Sequence, residues 1–103
     1  MKRVKRRYLA LQLETEGVPT EKEFMDAVWG AVARLYGEVG ASMTSLALIN
    51  LDVERKVVVI RTSLATLDHV RASLASITSV AGKEAGVHVL GVSGTIKALL
   101  AQL

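Results

Sequence analysis

Three features of the sequence predict an α+β sandwich, a single antiparallel sheet with two long helices on one face. Four stretches carry the alternating or β-branched apolar pattern of strands. Two longer stretches carry apolar residues at helical spacing and separate the strands in the order β-α-β-β-α-β. The two middle strand-like stretches are joined by only a few charged residues, which suits a hairpin.

From Arg7 to Glu14, Leu9, Leu11 and Leu13 alternate with Tyr8, Ala10, Gln12 and Glu14, the pattern of a half-buried strand. Gly17, Val18 and Pro19 break it, and Thr20 followed three residues later by Glu23 forms a capping box. Phe24, Ala27, Val28, Ala31 and Leu35 then mark one helix face, widened by Met25, Trp29, Val32 and Tyr36 and closed by Gly37 and Gly40. A strand from Met43 to Asp52, a charged turn from Asp52 to Arg55 and a strand from Lys56 to Thr62 give the hairpin. A second helix from Ala65 to Val80 presents Leu67, Val70, Leu74 and Ile77, and a loop from Ala81 to Gly86 leads to a last strand from Val87 to Val92. Ile96, Leu99, Leu100 and Leu103 stripe a short terminal helix. This is the split βαβ order of ferredoxin-like, RNA-recognition-motif-like domains. Residues 1–103 read as one domain, with residues 1–6 as a basic N-terminal arm.

The helices of such a sandwich cover one face of the sheet, so the other is polar in a domain that works alone. Here both faces of the hairpin are apolar: Leu46 and Leu48 alternate with Ala47, Ile49 and Leu51, and Val57 and Val59 with Val58 and Ile60. Either the terminal helix folds across the second face or another protein covers it. The helix has only about two turns, so a protein interface through Leu46, Leu48, Val57 and Val59 is expected.

Half of the residues are hydrophobic, but only Tyr8, Phe24, Trp29 and Tyr36 are aromatic, so Leu, Val, Ile and Ala must build the core. Having no cysteine, the chain has no disulfide, thiolate metal site or cysteine nucleophile. No apolar run reaches the roughly 20 residues of a membrane span, and the basic N-terminus leads into acidic residues rather than a secretory core. A cytoplasmic location without membrane attachment is expected. Charge is concentrated at one end: Lys2, Arg3, Lys5, Arg6 and Arg7 are five of the 13 basic residues, and the other eight are outnumbered by 10 acidic ones. The formal charge of +3 therefore comes from the arm. Such a block suits either a polyanionic partner or a solvated tail.

Catalytic equipment is sparse. His69 follows Asp68 on the exposed side of the second helix, and His88 alternates with Val87 and Val89 as a paired strand histidine. No HExxH-type spacing offers a metal site. Ser93 misses the nucleophile-elbow pattern because Gly94 comes one residue early. The segment Gly91-Val92-Ser93-Gly94-Thr95-Ile96-Lys97 lacks the GK[ST] ending of a P-loop. It runs from a strand into a helix, and two readings stay open: backbone N–H groups and Lys97 facing a phosphate, or Ser93 or Thr95 simply capping the helix. Aromatic base stacking of the RNA-recognition-motif type has little support, since the third strand has no aromatic residue and the first offers only Tyr8. Contacts with RNA would be electrostatic, through the arm, the Ser93, Gly94, Thr95 and Lys97 junction, and Lys56 and Arg61.

Several segments together resemble the archaeal ribonuclease P protein component 2 family, with its Pop-type eukaryotic relatives in ribonuclease P and MRP. They are Arg7-Tyr8-Leu9-Ala10, Ala27-Val28-Trp29, Leu35-Tyr36-Gly37-Glu38-Val39-Gly40, Val59-Ile60-Arg61, Val70-Arg71-Ala72-Ser73-Leu74 and, most specific, Leu90-Gly91-Val92-Ser93-Gly94-Thr95-Ile96-Lys97. The resemblance implies a noncatalytic protein subunit of a holoenzyme that removes the 5′ leader of precursor tRNA. It implies ribonuclease P RNA as the bearer of the active site and of the magnesium ions, and no cofactor on the protein. It further implies a TIM-barrel-like protein partner and the possibility of a homodimer. Family members often continue past the Gly-Thr-Ile-Lys segment with basic residues, whereas Ala98 to Leu103 has no charged side chain. The alternative is a ferredoxin-like regulatory module that dimerises and binds a small molecule, which explains the apolar hairpin but not the arm. An acylphosphatase-like hydrolase is disfavoured, because Asn50 has no glycine-rich arginine loop beside it.

Overall fold

A computed structural model describes residues 5–42 and 44–103 of the chain. Lys2 and Arg3 of the arm, and Met43 at the expected start of the second strand, lie outside the described residues. The first strand, β1 (Arg6–Glu14), sends Leu9, Leu11 and Leu13 into the main core as their alternation predicts. Helix α1 (Glu21–Ser42) starts at the expected capping box: Thr20 N–H donates to Glu23 Oε1 at 2.9 Å, and Glu23 N–H donates to Thr20 Oγ1 at 3.1 Å. Phe24, Val28, Ala31 and Val32 pack onto the sheet. The buried stripe stops there, for Leu35 is 48% exposed. Gly37, with φ 79° and ψ 168°, interrupts the helix, a conformation that only glycine adopts readily.

Strands β2 (Ala47–Asp52) and β3 (Val57–Ser63) form the hairpin, with a register shift between Leu48 and Asn50. A 3₁₀ turn (Leu64–Thr66) leads into α2 (Leu67–Ala75), which ends well before the expected Val80. Ser76 Oγ donates to the Ser73 carbonyl at 2.6 Å, one of the local bonds by which serine competes with helix continuation. The residues beyond form a small hairpin of β4 (Ser79–Val80) and β5 (Lys83–Glu84), turned at Ala81 and Gly82, both with positive φ. Strand β6 (Gly86–Ser93) follows, and α3 (Ile96–Ala101) ends the fold.

The main sheet has the order β2-β3-β1-β6 with every neighbouring pair antiparallel, which is the ferredoxin-like arrangement. Its second face carries α3. Leu99 is wholly buried there against Ala10 and Val59, with Tyr8 and Ile49 beside them. Burying one leucine in this way is worth about 2 kcal/mol, enough to seat a short helix. The terminal helix thus covers part of the face for which an outside protein was expected. Among the described residues no helix is long and apolar enough to cross a membrane.

Candidate nucleic-acid interface

The strand registers decide which basic residues share a surface. Tyr8 of β1 lies opposite Arg61 of β3 on one side and Ser93 of β6 on the other. Side chains directly opposite one another across antiparallel strands stand on the same face, about 5 Å apart at Cβ. Because Tyr8 packs with the α3-side cluster, Arg61 and Ser93 face that side too. The base of the arm reaches the same end of the sheet, where Arg6 lies opposite Ser63 and the Lys5 carbonyl accepts Leu64 N–H at 2.7 Å.

Arg7 closes the corner. Its Nη1 donates to the Arg6 carbonyl at 2.9 Å, and a Cβ added to Gly94 would lie 3.4 Å from that nitrogen. The guanidinium therefore lies against the glycine of the strand–helix junction. Within the junction, Ala98 N–H donates to Thr95 Oγ1 at 3.1 Å, and Thr95 N–H reaches Ser93 Oγ at 3.4 Å. Of the two readings open for this segment, the helix cap is the one these bonds make: Thr95 is the N-cap of α3. Lys97 stands exposed in its first turn.

Lys5, Arg6, Arg7, Arg61, Ser93, Gly94, Thr95 and Lys97 are thus gathered at one end of the molecule. None of their cations takes part in the two ion pairs among the described residues, Lys22–Asp26 and His88–Glu14. Arg61 goes further, for its Nε is buried and has no hydrogen-bond partner among the described residues. A buried donor left unmet costs about 1–3 kcal/mol, and few are tolerated in folded proteins.

Two expectations need correction. Lys56 stands at the opposite end of β3, where its left-handed backbone (φ 57°) closes the hairpin turn and its Nζ donates to the Thr15 carbonyl at 2.6 Å. It braces the chain leaving β1 and is remote from the basic end. Nor do Leu46, Leu48, Val57 and Val59 form one surface. Leu46 and Leu48 pack against the helix-side core, while Val59 lies beneath Leu99 on the other face. The shift between Leu48 and Asn50 explains the misreading, since one extra residue exchanges the faces of everything beyond it. Val57 and Val59 instead line an open groove of about 570 Å³ beside α3, together with Leu90, Leu100 and Leu103. Strand alternation does not reveal Leu90 as a groove residue because it is the extra residue of a second bulge: Gly91 pairs with Ala10 and Val89 with Leu11.

The histidines are occupied elsewhere. His88 Nε2 lies 3.1 Å from Glu14 Oε1, as a paired strand histidine should. His69 stacks on Tyr36 with ring centroids 4.2 Å apart. Among the described residues no group of three or more His, Asp or Glu is placed to hold a metal ion.

Fold and clustered cations define a small ferredoxin-like module with one strongly basic end. Within that class the chain belongs to the Rpp14/Pop5 family, whose model matches residues 7–103. Ribonuclease P protein component 2 of Methanosarcina mazei is 36% identical over 95 residues, which cover 92% of this chain and 80% of that protein. The protein of the same name from Pyrococcus furiosus is 35% identical over 97 residues, covering 94% of this chain and 81% of its own. Among solved structures, a chain of the cryo-EM structure of yeast ribonuclease MRP matches with a TM-score of 0.73 at 17% identity, over 92% of this chain and 78% of that one. The latter is a likeness of fold.

Proposed function

We infer that this chain is a protein subunit of ribonuclease P, which binds the catalytic RNA and supports it in removing the 5′ leader from precursor tRNA. The observation that carries this reading is a set of five described cations, Lys5, Arg6, Arg7, Arg61 and Lys97, none of them in an ion pair, at one end of an Rpp14/Pop5-family fold. Packed RNA segments repel one another through their phosphates, and fixed cations on a protein lower that repulsion. The subunit itself is noncatalytic in this reading. Phosphodiester hydrolysis belongs to the RNA and its magnesium ions, and the protein holds no cofactor.

Lys2 and Arg3 add two cations to the same stretch of sequence and are RNA contacts in this reading, while Ser93, Gly94 and Thr95 shape the junction against which Arg7 lies. The further partners are a TIM-barrel-like protein subunit and, within the assembly, a second copy of this chain. The groove edged by Leu90, Leu100 and Leu103 supports a protein contact on the α3 side, since all three are about half exposed. The working location is the cytoplasm. Co-purification from native extract with sequencing of the bound RNA tests the reading. Recovery of a ribonuclease P RNA is expected, and its absence alongside a bound metabolite would overturn the reading in favour of a small-molecule module.

A further inference from the structure

We propose that Arg61, with the hydroxyl groups of Tyr8 and Ser93, forms a subsite for a single backbone phosphate of RNA on the α3 side of the sheet. The proposal rests on the RNA-subunit reading above and adds where one phosphate is held. Three strands converge on the place: Arg61 from β3, Tyr8 from the centre of the sheet and Ser93 from β6, in one cross-strand row. A guanidinium stays charged at any working pH and presents a planar fork of donors that fits two phosphate oxygens at once.

Among the described residues Arg61 has no carboxylate within ion-pair distance and its Nε–H has no acceptor. Yet the side chain is half-buried, so it is not simply a solvated surface cation. A half-buried charge that no carboxylate among the described residues neutralises is one that an anion from outside can meet at its accessible part. The neighbouring hydroxyls are those of a neutral donor set, and Arg7 with Lys97 keeps the surroundings positive. The nucleic-acid backbone therefore fits better than a lone carboxylate from a protein, because its successive phosphates meet the other cations of the basic end as well, where a single carboxylate meets one position. Tyr8 is partly buried and packs against the cluster of Ala10, Val59 and Leu99. It is held in place by packing, so its hydroxyl group needs no ordering when the phosphate arrives.

The test uses the full chain and ribonuclease P RNA. Arg61→Gln is expected to weaken binding about tenfold and to reduce the salt slope by about one unit. Arg61→Lys keeps the charge but loses the fork, so it is expected to fall well short of wild-type affinity. Tyr8→Phe and Ser93→Ala should each give a smaller loss with an unchanged salt slope, because neither removes a charge. In an NMR titration with the RNA, the Arg61 Nε–H resonance should shift and exchange more slowly with water. Thermal unfolding of each variant separates lost contact from lost fold. Wild-type affinity and slope in folded Arg61→Gln overturn the subsite, even if that variant loses a protein partner. Full rescue by Arg61→Lys also overturns it, by reducing Arg61 to a diffuse charge. Failure of the wild-type chain to bind the RNA at all instead overturns the reading on which the subsite rests.

Discussion

Two lysines of similar chemistry have opposite roles because of where their ammonium groups end. Lys56 donates to the Thr15 carbonyl and closes a turn, whereas Lys97 stands free beside the junction. Lys97→Ala is expected to flatten the salt dependence of RNA binding by about one unit. Lys56→Ala should leave that slope unchanged and lower the unfolding midpoint, as paired binding and denaturation series would show. Equal slopes for both variants would remove Lys97 from the interface. The capping box makes a second prediction at this scale. The Thr20 backbone N–H, and then its hydroxyl group, hold the Glu23 carboxyl below its usual range. The ionised form is the one bonded in the fold, so its contribution is complete above the unfolded pKa and is lost as pH falls through the depressed folded value. Thr20→Ala should destabilise the protein by about 1 kcal/mol at neutral pH. The gap to wild type should narrow in acid, measured by denaturant unfolding across pH. The box was legible in the sequence because it needs only two residues three apart. The separate fates of Lys56 and Lys97 were not, since they depend on a carbonyl 41 residues away.

At the scale of elements, α3 decides what the second face of the sheet becomes. Its apolar stripe was readable, but not which of its leucines is buried. Leu99 is fully buried over Ala10 and Val59, while Leu100 is 55% exposed at the groove. Leu99→Ala is expected to cost about 2–3 kcal/mol, and Leu100→Ala to stay within about 0.5 kcal/mol. Chemical denaturation of the two variants checks this, and similar losses for both would mean that α3 is seated differently. Gly91 lies under the same helix, where an added Cβ would meet Gln102 Oε1 at 2.6 Å and Leu99 Cδ1 at 3.6 Å. The second helix shows the opposite failure. Its apolar spacing continues through Ile77, but Ile77 and Val80 are buried from a turn and from β4. Helical periodicity and a core-facing loop give the same letters over so short a stretch.

For the whole molecule, the consequential property is how unevenly charge is distributed. Lys5 and Arg6 lie at the basic end of the sheet, while Glu14, Glu16 and Glu84 line a cleft with Lys83 elsewhere. Changing Lys2, Arg3, Lys5, Arg6 and Arg7 together to Ala is expected to weaken RNA binding most at low salt. It should also raise the magnesium concentration needed for cleavage by the reconstituted enzyme. An unchanged magnesium requirement together with unchanged affinity would reject the arm as a contact.

By itself the sequence determined the order of the elements, the helix-side core of Leu9, Leu11 and Leu13, the capping box and the family likeness of the closing segment. Each of these rests on near neighbours in the chain, where spacing and residue type suffice. Only the tertiary structure decided that Arg61 stands in a row with Tyr8 and Ser93, that Lys56 is remote from it, and that α3 covers Ala10 and Val59. The place of Arg61 and of Lys56 follows from the register of β1 with β3, and that of Ser93 opposite Tyr8 from a bulge in β6. A bulge changes which face a residue meets through hydrogen bonds between segments far apart in the chain.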